Sequence, residues 1–158
     1  MIFITVGTHE QQFNRLLKKI DEISASMPDV EFFVQTGYSD YKLKNCNYRK
    51  FLNYKEMNEF IENADLIITH GGPSSFFSVL LKNKPLIVVP RKFEYGEHVN
   101  NHQLEFLKNI NDKGYNIEFI ENLDYLEEKI TKNTSSKIFK SNHKIFIANF
   151  RKEVESLL

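Results

Sequence analysis

The sequence predicts an α/β fold: a doubly wound, Rossmann-like parallel sheet with helices on both faces. Three observations lead there. The apolar runs Ile2 to Val6, Leu66 to Ile68 and Leu86 to Val89 are too short for helices and end at turn residues, so they read as buried strands. Segments with apolar residues at helical spacing lie between the runs. Glycine turns, Gly7 and Gly71-Gly72, follow two of the strands at once, so strand, glycine turn and helix recur in order.

Taken along the chain, Gly7-Thr8-His9-Glu10 breaks the first strand, and a helix follows from Phe13 to near Met27-Pro28. Leu16, Leu17, Ile20 and Ile23 form its inner face. Glu31 to Thr36 is the second strand, and Tyr48 to Leu52 a weaker third. A short helix over Lys55 to Asn63 points Met57, Phe60 and Ile61 inward. After the strand at Leu66 to Ile68, Pro73 suits a first helical turn, where its missing N–H is not needed. That helix runs to Lys84-Pro85, and the next strand closes at Pro90. Val99 to Asn111 reads as a helix with Gly114 as its cap. Tyr115 to Ile120 reads as a last strand, Leu123 to Ile130 as a helix, and residues 136–158 as a long amphipathic terminal helix. The whole of 1–158 reads as a single domain.

The chain has 158 residues, with 21 basic and 21 acidic side chains. A net charge of zero implies no bulk attraction to nucleic acid or to an acidic membrane surface. One cysteine, Cys46, excludes an intramolecular disulfide and fits a reducing compartment. The opening MIFITVGTHE has no basic n-region and reads as a strand rather than a signal peptide. No run approaches the roughly 18 apolar residues of a membrane helix.

A glycine turn feeding a helix N-terminus offers free N–H groups and a positive dipole end, which suits a phosphate; two glycines also serve any tight βα turn. The loop Arg91 to Gln103 is dense in groups for sugars or phosphates. Arg91 and Lys92 can meet an anion, and Glu97, Asn101, His102 and Gln103 can meet hydroxyls. Zinc needs converging ligands; His98 and His102, four apart, are the candidate pair, but no HExxH occurs, and no metal is expected. Ser74 or Ser75 lacks a GxSxG elbow and reads as a phosphate ligand or cap rather than a nucleophile. His9 and His70 each follow a strand at the sheet's ligand edge, as general bases or as hydrogen-bonded structural residues. No P-loop is present.

GTHEQQFNRL, THGGPSSF and KPLIVVPRKFEYGEHVNNHQLEF together resemble the donor-binding half of inverting GT-B glycosyltransferases. The likeness is greatest to bacterial capsule and exopolysaccharide β-1,4-galactosyltransferase or glucuronosyltransferase subunits. It extends to the soluble subunit of the dolichol-linked N-acetylglucosaminyltransferase and to the C-terminal half of the lipid II glycosyltransferase. The resemblance implies that Gly7 and Thr8 face a nucleotide diphosphate and that His70, Gly71, Gly72, Ser74 and Ser75 hold the phosphates of a UDP-sugar. It implies that His102 and Gln103 contact the donor hexose, with Arg91 and Glu97 around nucleotide and sugar. Where several relatives carry a ribose-binding glutamate, this chain has Ser78.

The resemblance further implies metal-free, cofactor-free transfer of a hexose, galactose by likeness, to a lipid-linked saccharide in capsule or exopolysaccharide synthesis. A membrane-attached, acceptor-binding partner subunit would complete the enzyme and recruit this chain to the cytoplasmic face of the membrane, with residues 136–158 as the docking element. His9 is the local base, unless the partner supplies one. Gly72→Val is expected to crowd the phosphates without unfolding the domain. The competing readings are a non-catalytic UDP-sugar-binding or regulatory module and, less favoured, an independent nucleotide-sugar epimerase, which would need both domains in one chain.

Overall fold

The computed structural model describes residues 1–114 and 117–135. Five strands form one sheet: β1 (Ile2–Thr5), β2 (Phe32–Gln35), β3 (Asn47–Arg49), β4 (Leu66–His70) and β5 (Leu86–Val89). All pairings are parallel, in the order β3-β2-β1-β4-β5. Ile2 lies level with both Phe32 and Leu66, so β1 is the centre of the sheet. The chain winds outward from β1 through β2 to β3, then returns to β4 and winds the other way. The order therefore reverses between β1 and β4, where open α/β sheets leave a crevice beyond the carboxyl ends of their strands.

Side chains alternate across a strand, and this separates two cores. Ile2, Ile4 and Val6, with Val34, Ile68 and Val89, face the helices α1 (Asn14–Ser26) and α5 (Leu126–Ser135). Phe3, Ile67 and Val88 face α2 (Tyr54–Asn63), α3 (Pro73–Leu81) and α4 (His102–Asp112). Both faces are covered, which is why the central strands are apolar throughout rather than alternating. On the second face Phe33 stacks on Phe60 at 4.0 Å between ring centroids, and Phe3 on Phe60 at 5.2 Å. A capping box opens α2: the Asn53 side chain accepts the Glu56 N–H, and the Glu56 carboxylate accepts the Asn53 N–H, both at 2.9 Å.

Three expected elements differ. The fourth helix begins at His102 rather than Val99. Asn100 Oδ1 accepts the His102 N–H at 3.1 Å and Asn101 Oδ1 accepts the Phe93 N–H at 2.9 Å, so the asparagines hold a turn there instead of helix. Of the expected last strand, residues 117–120 make a single parallel bridge, Phe119 to Val88. Asn111 holds Ile117 by both its main-chain groups, at 2.7 and 2.8 Å, which bends the segment away from an extended ladder. Leu123–Tyr125 is a 3₁₀ turn leading into α5 rather than α-helix. The terminal segment 136–158 lies outside the described residues. No helix among the described residues is long and apolar enough to cross a membrane.

Candidate functional site

The loops after β1 and β4 meet at the switch point, and His70 joins them. At Gly7, with φ +76°, an added Cβ would lie 2.4 Å from His70 Nε2; at Gly72 it would lie 2.3 Å from His70 Cε1. The two glycines thus pack against the same imidazole, which is their first structural requirement. Gly72→Val, expected to crowd the phosphates with the fold intact, would also have to displace this ring.

His70 is buried and fully engaged. Its Nδ1 accepts the Gly72 N–H at 3.0 Å, and its Nε2 lies 2.8 Å from Ser75 Oγ. A neutral imidazole that accepts at Nδ1 carries its proton on Nε2, so the ring donates to Ser75 and leaves the Ser75 hydroxyl proton for a further acceptor. Burial, reinforced by the positive Arg91 nearby, pushes the His70 pKa down to about 3. The ring is neutral at physiological pH.

The cleft has a volume of about 510 Å³. Thr5, Gly7, Thr8 and His9 line one side, and Ser74, Ser75 and Ser78 of α3 the other. Leu52, Tyr54, Met57 and Asn58 form an apolar and amide wall from α2 and the segment before it. No lysine, arginine or carboxylate is among the described residues that line it. Gly72, as the N-cap of α3, offers no side-chain cap, and Pro73 opens the helix as its pattern predicts. The positive end of the helix dipole is therefore left to a ligand. Ser78, however, turns its hydroxyl back to the Ser75 carbonyl at 2.7 Å.

The loop after β5 is placed differently from expectation. Arg91 is 0% exposed. Its Nη2 donates to the Val6 carbonyl at 2.8 Å, and its Nη1 to the carbonyls of Gln11, Gln12 and Glu97 at 2.9 to 3.1 Å. Its guanidinium also lies over the Phe13 ring, 4.8 Å from the centroid. Burial lowers its pKa to about 10, so it stays charged while pinning the first loop to the third. Glu97, also 0% exposed, is the bidentate partner of Arg15 at 2.8 and 2.9 Å and accepts the Lys92 N–H at 3.0 Å. Neither Arg91 nor Glu97 lines the cleft. They form its frame: the charges are carried by the Arg91 Nη contacts and the Arg15–Glu97 pair, while Arg91 Nε is buried without a partner among the described residues.

Gln103 belongs to the same frame. Its Oε1 accepts the N–H groups of Gly71 and Arg91 at 3.0 and 3.1 Å, and its amide nitrogen lies 3.4 Å from His70 Nδ1. His102 instead opens α4 at the surface, its side chain 77% exposed and 3.4 Å from Glu105. The pair expected to contact a hexose is thus split between frame and solvent. His98 precedes the helix that His102 begins, so the two do not share a helix face. No cluster of three or more metal-ligating side chains occurs among the described residues.

His9 does line the cleft. Its Nδ1 accepts the Gln11 N–H at 3.2 Å, so the neutral ring carries its proton on Nε2. In this tautomer the ring presents a hydrogen-bond donor, Nε2–H, to a ligand. Two frame residues escaped the sequence reading. Gln35 donates to the carbonyls of Gly7 and Lys50 and accepts from the Thr5 hydroxyl and Gly7 N–H. Arg15 reads as a solvent-side helix residue until Glu97 is seen beside it. A glutamine ending an otherwise apolar strand was the available signal for the first.

The chain is 28% identical over 142 residues to the UDP-N-acetylglucosamine transferase subunit ALG13 of Candida albicans, covering 84% of this chain and 45% of that protein. It is 41% identical over 63 residues to the human protein of the same name, covering 39% of this chain and 5% of that one. It therefore spans less than half the length of these relatives. Among solved structures, the glycosyltransferase of kitacinnamycin superposes with a TM-score of 0.57 at 20% identity, over 85% of this chain and 35% of that one, a likeness of fold. The model of the glycosyltransferase family 28 C-terminal domain matches residues 1–158, and the chain belongs to that family, a C-terminal-type GT-B half-domain.

Proposed function

We propose that this chain is the donor-binding subunit of an inverting glycosyltransferase and holds a UDP-hexose in the cleft between β1, α2 and α3. The supporting observation is the lining itself. Ser74, Ser75 and His9 supply neutral hydrogen-bond donors around an uncapped helix N-terminus. Such a set suits a diphosphate, whose charge grows as it leaves.

In the proposed reaction the acceptor hydroxyl oxygen attacks the anomeric carbon while the carbon–oxygen bond to the β-phosphate breaks. The departing UDP takes the bonding pair, and its charge is met by the Ser75 hydroxyl, the His9 Nε2–H and the dipole of α3. The hydroxyl proton passes to a base. With no carboxylate among the described residues that line the cleft and His9 in its donor tautomer, that base belongs to a membrane-attached partner that also binds the lipid-linked saccharide. Residues 136–158, amphipathic in sequence, are the proposed docking segment. Recruitment to the membrane then comes through the partner.

The resemblance in sequence favours galactose and capsule-type polysaccharide; the relatives named above take their name from N-acetylglucosamine. Both are UDP-hexoses. Calorimetric titration with UDP, UDP-galactose, UDP-glucose, UDP-N-acetylglucosamine and UDP-glucuronate tests the reading. Micromolar to millimolar binding of one sugar nucleotide, weakened by Ser75→Ala, is expected. No binding to any, alone or with the partner, refutes it. The lack of a cleft carboxylate also favours a second reading, a binding module without turnover. Hexosyl transfer by the reconstituted pair, absent with either subunit alone, decides against that one.

A further inference from the structure

His98 was not part of the sequence-derived site, yet it stacks on the one histidine that lines the cleft without being buried in the frame. The His9 and His98 rings lie 4.6 Å apart between centroids, tilted by 32°. They come from the loops after β1 and β5, which Arg91 pins together through carbonyls on both sides. His9 has already spent Nδ1 on the Gln11 N–H. His98 Nδ1 is buried and finds no hydrogen-bond partner among the described residues.

The charges facing this pair are unbalanced. Arg91 and the neutral His70 lie to one side, and Glu10 is the acidic neighbour within the first loop. The Glu97 carboxylate, next to His98 in sequence, is consumed by Arg15 and the Lys92 N–H. Burial, then His98 and Arg91, holds the His9 pKa below its ordinary value. What the pair lacks is an anion. The cleft places one within reach, because His9 and the uncapped start of α3 border the same space.

We propose that His9 and His98 form a single proton-accepting pair that binds the diphosphate of the sugar nucleotide, so that ligand binding draws a proton from solvent onto the pair. This rests on the UDP-hexose reading above. The proton leaves a solvent acid and forms an N–H bond at His98 Nδ1, the nitrogen left without a partner, as the anion arrives, and no bond of the ligand breaks. The sign follows from linkage. An anion beside His9 raises the pKa of the pair above that of the empty site, so binding is tightest below the empty-site pKa and weakens as pH rises through the bound-state pKa. Each unit of that difference corresponds to tenfold in affinity.

The test uses the whole chain and UDP-hexoses, whose two phosphates are each esterified once and joined by an anhydride, so neither titrates near neutrality. Calorimetry at about pH 6, 7 and 8.5, in two buffers of different ionisation enthalpy, reads affinity and proton count together. About tenfold weaker binding at the highest pH, with net proton uptake near neutrality, is the expected result. His98→Phe keeps a ring for the stack but removes its nitrogens, and should reduce the uptake and flatten the pH profile. Proton NMR of the histidine Cε1–H signals provides a second measurement on the unaltered chain. Two resonances should move toward their imidazolium positions on adding ligand. UDP-hexose binding with no pH dependence and no buffer dependence overturns the inference while leaving the cleft reading in place. Absence of UDP-hexose binding at every pH, alone and with the partner, overturns both.

Discussion

The contact between Gly72 and His70 can be tested without any ligand. The backbone at Gly72, φ −70° and ψ 123°, is ordinary for an L-residue, so Gly72→Ala brings no dihedral strain. It brings a methyl group 2.3 Å from His70 Cε1 and 2.8 Å from Nδ1. The ring cannot turn aside cheaply, since Ser75 and the Gly72 N–H hold its two nitrogens. Overpacking of this kind costs about 1–3 kcal/mol. The smaller unfolded-state entropy of alanine returns about 0.4–1 kcal/mol. The net expectation is a destabilisation of about 1–2 kcal/mol, read by urea denaturation at constant m-value. In a His70→Ala background the methyl group no longer meets the ring, so the cost of that contact should vanish and the coupling between the sites reach about 1 kcal/mol or more. Gly7→Ala is the contrast. Its φ of +76° strains any L-residue, so part of its cost should persist when the ring is gone. Equal cost for Gly72→Ala in both backgrounds, or none in either, would refute the packing argument.

Four further outcomes follow from the same geometry. With its folded pKa near 3 and an ordinary value near 6.5 unfolded, His70 should make stability fall with pH through that window. Its full contribution is present above the unfolded value, and about 2 kcal/mol is lost by about pH 5; His70→Gln should shallow the slope in pH-dependent melts. Arg91→Met leaves four buried carbonyl contacts without a donor and should cost about 3–5 kcal/mol in urea denaturation. Ser74→Ala, at an exposed cleft position, should weaken UDP-hexose binding by about threefold to tenfold while leaving stability within about 0.5 kcal/mol. Cys46, half-buried and donating to Ser24 Oγ, has its thiol pKa raised by burial, so native alkylation should be far slower than in denaturant, as mass spectrometry would show.

The parts of this fold that were legible are those written in local pattern. Short apolar runs mark all four longer strands, and both glycine turns fall at the sheet's ligand edge. The polar loop after β5 was not legible in the same way, because its partners are far away in sequence. Arg15 and Glu97 are 82 residues apart, and Arg91 reaches carbonyls 79 to 85 residues distant. A loop of arginine, glutamate, histidine and glutamine has the same composition whether it faces a sugar or knits three loops together. Only the fold separates the two. The late start of α4 has a local cause, two asparagines competing for the backbone, yet hydrophobic spacing overrides such signals when a sequence is read by periodicity alone.

That separation changes what each polar residue is for. His70, Arg91, Glu97, Gln103 and Gln35 satisfy one another and the loop backbones, so their charges and, the buried Arg91 Nε excepted, their donors are already consumed before any ligand arrives. Ser74, Ser75 and His9 retain donor capacity toward the cleft. A ligand therefore meets hydroxyls, an imidazole N–H and a helix end, all without formal charge, around a frame that holds a full positive charge beneath it. Neutral donors bind a diphosphate by direction rather than by bulk attraction, and the affinity of such a site should depend only weakly on ionic strength. If UDP-hexose affinity at about pH 8.5, where the His9–His98 pair takes up no proton, instead fell about tenfold between about 50 mM and about 500 mM salt, a further cation would have to enter the cleft on binding. Arg91 could not be that cation without leaving four carbonyls, which would uncouple all three loops at once.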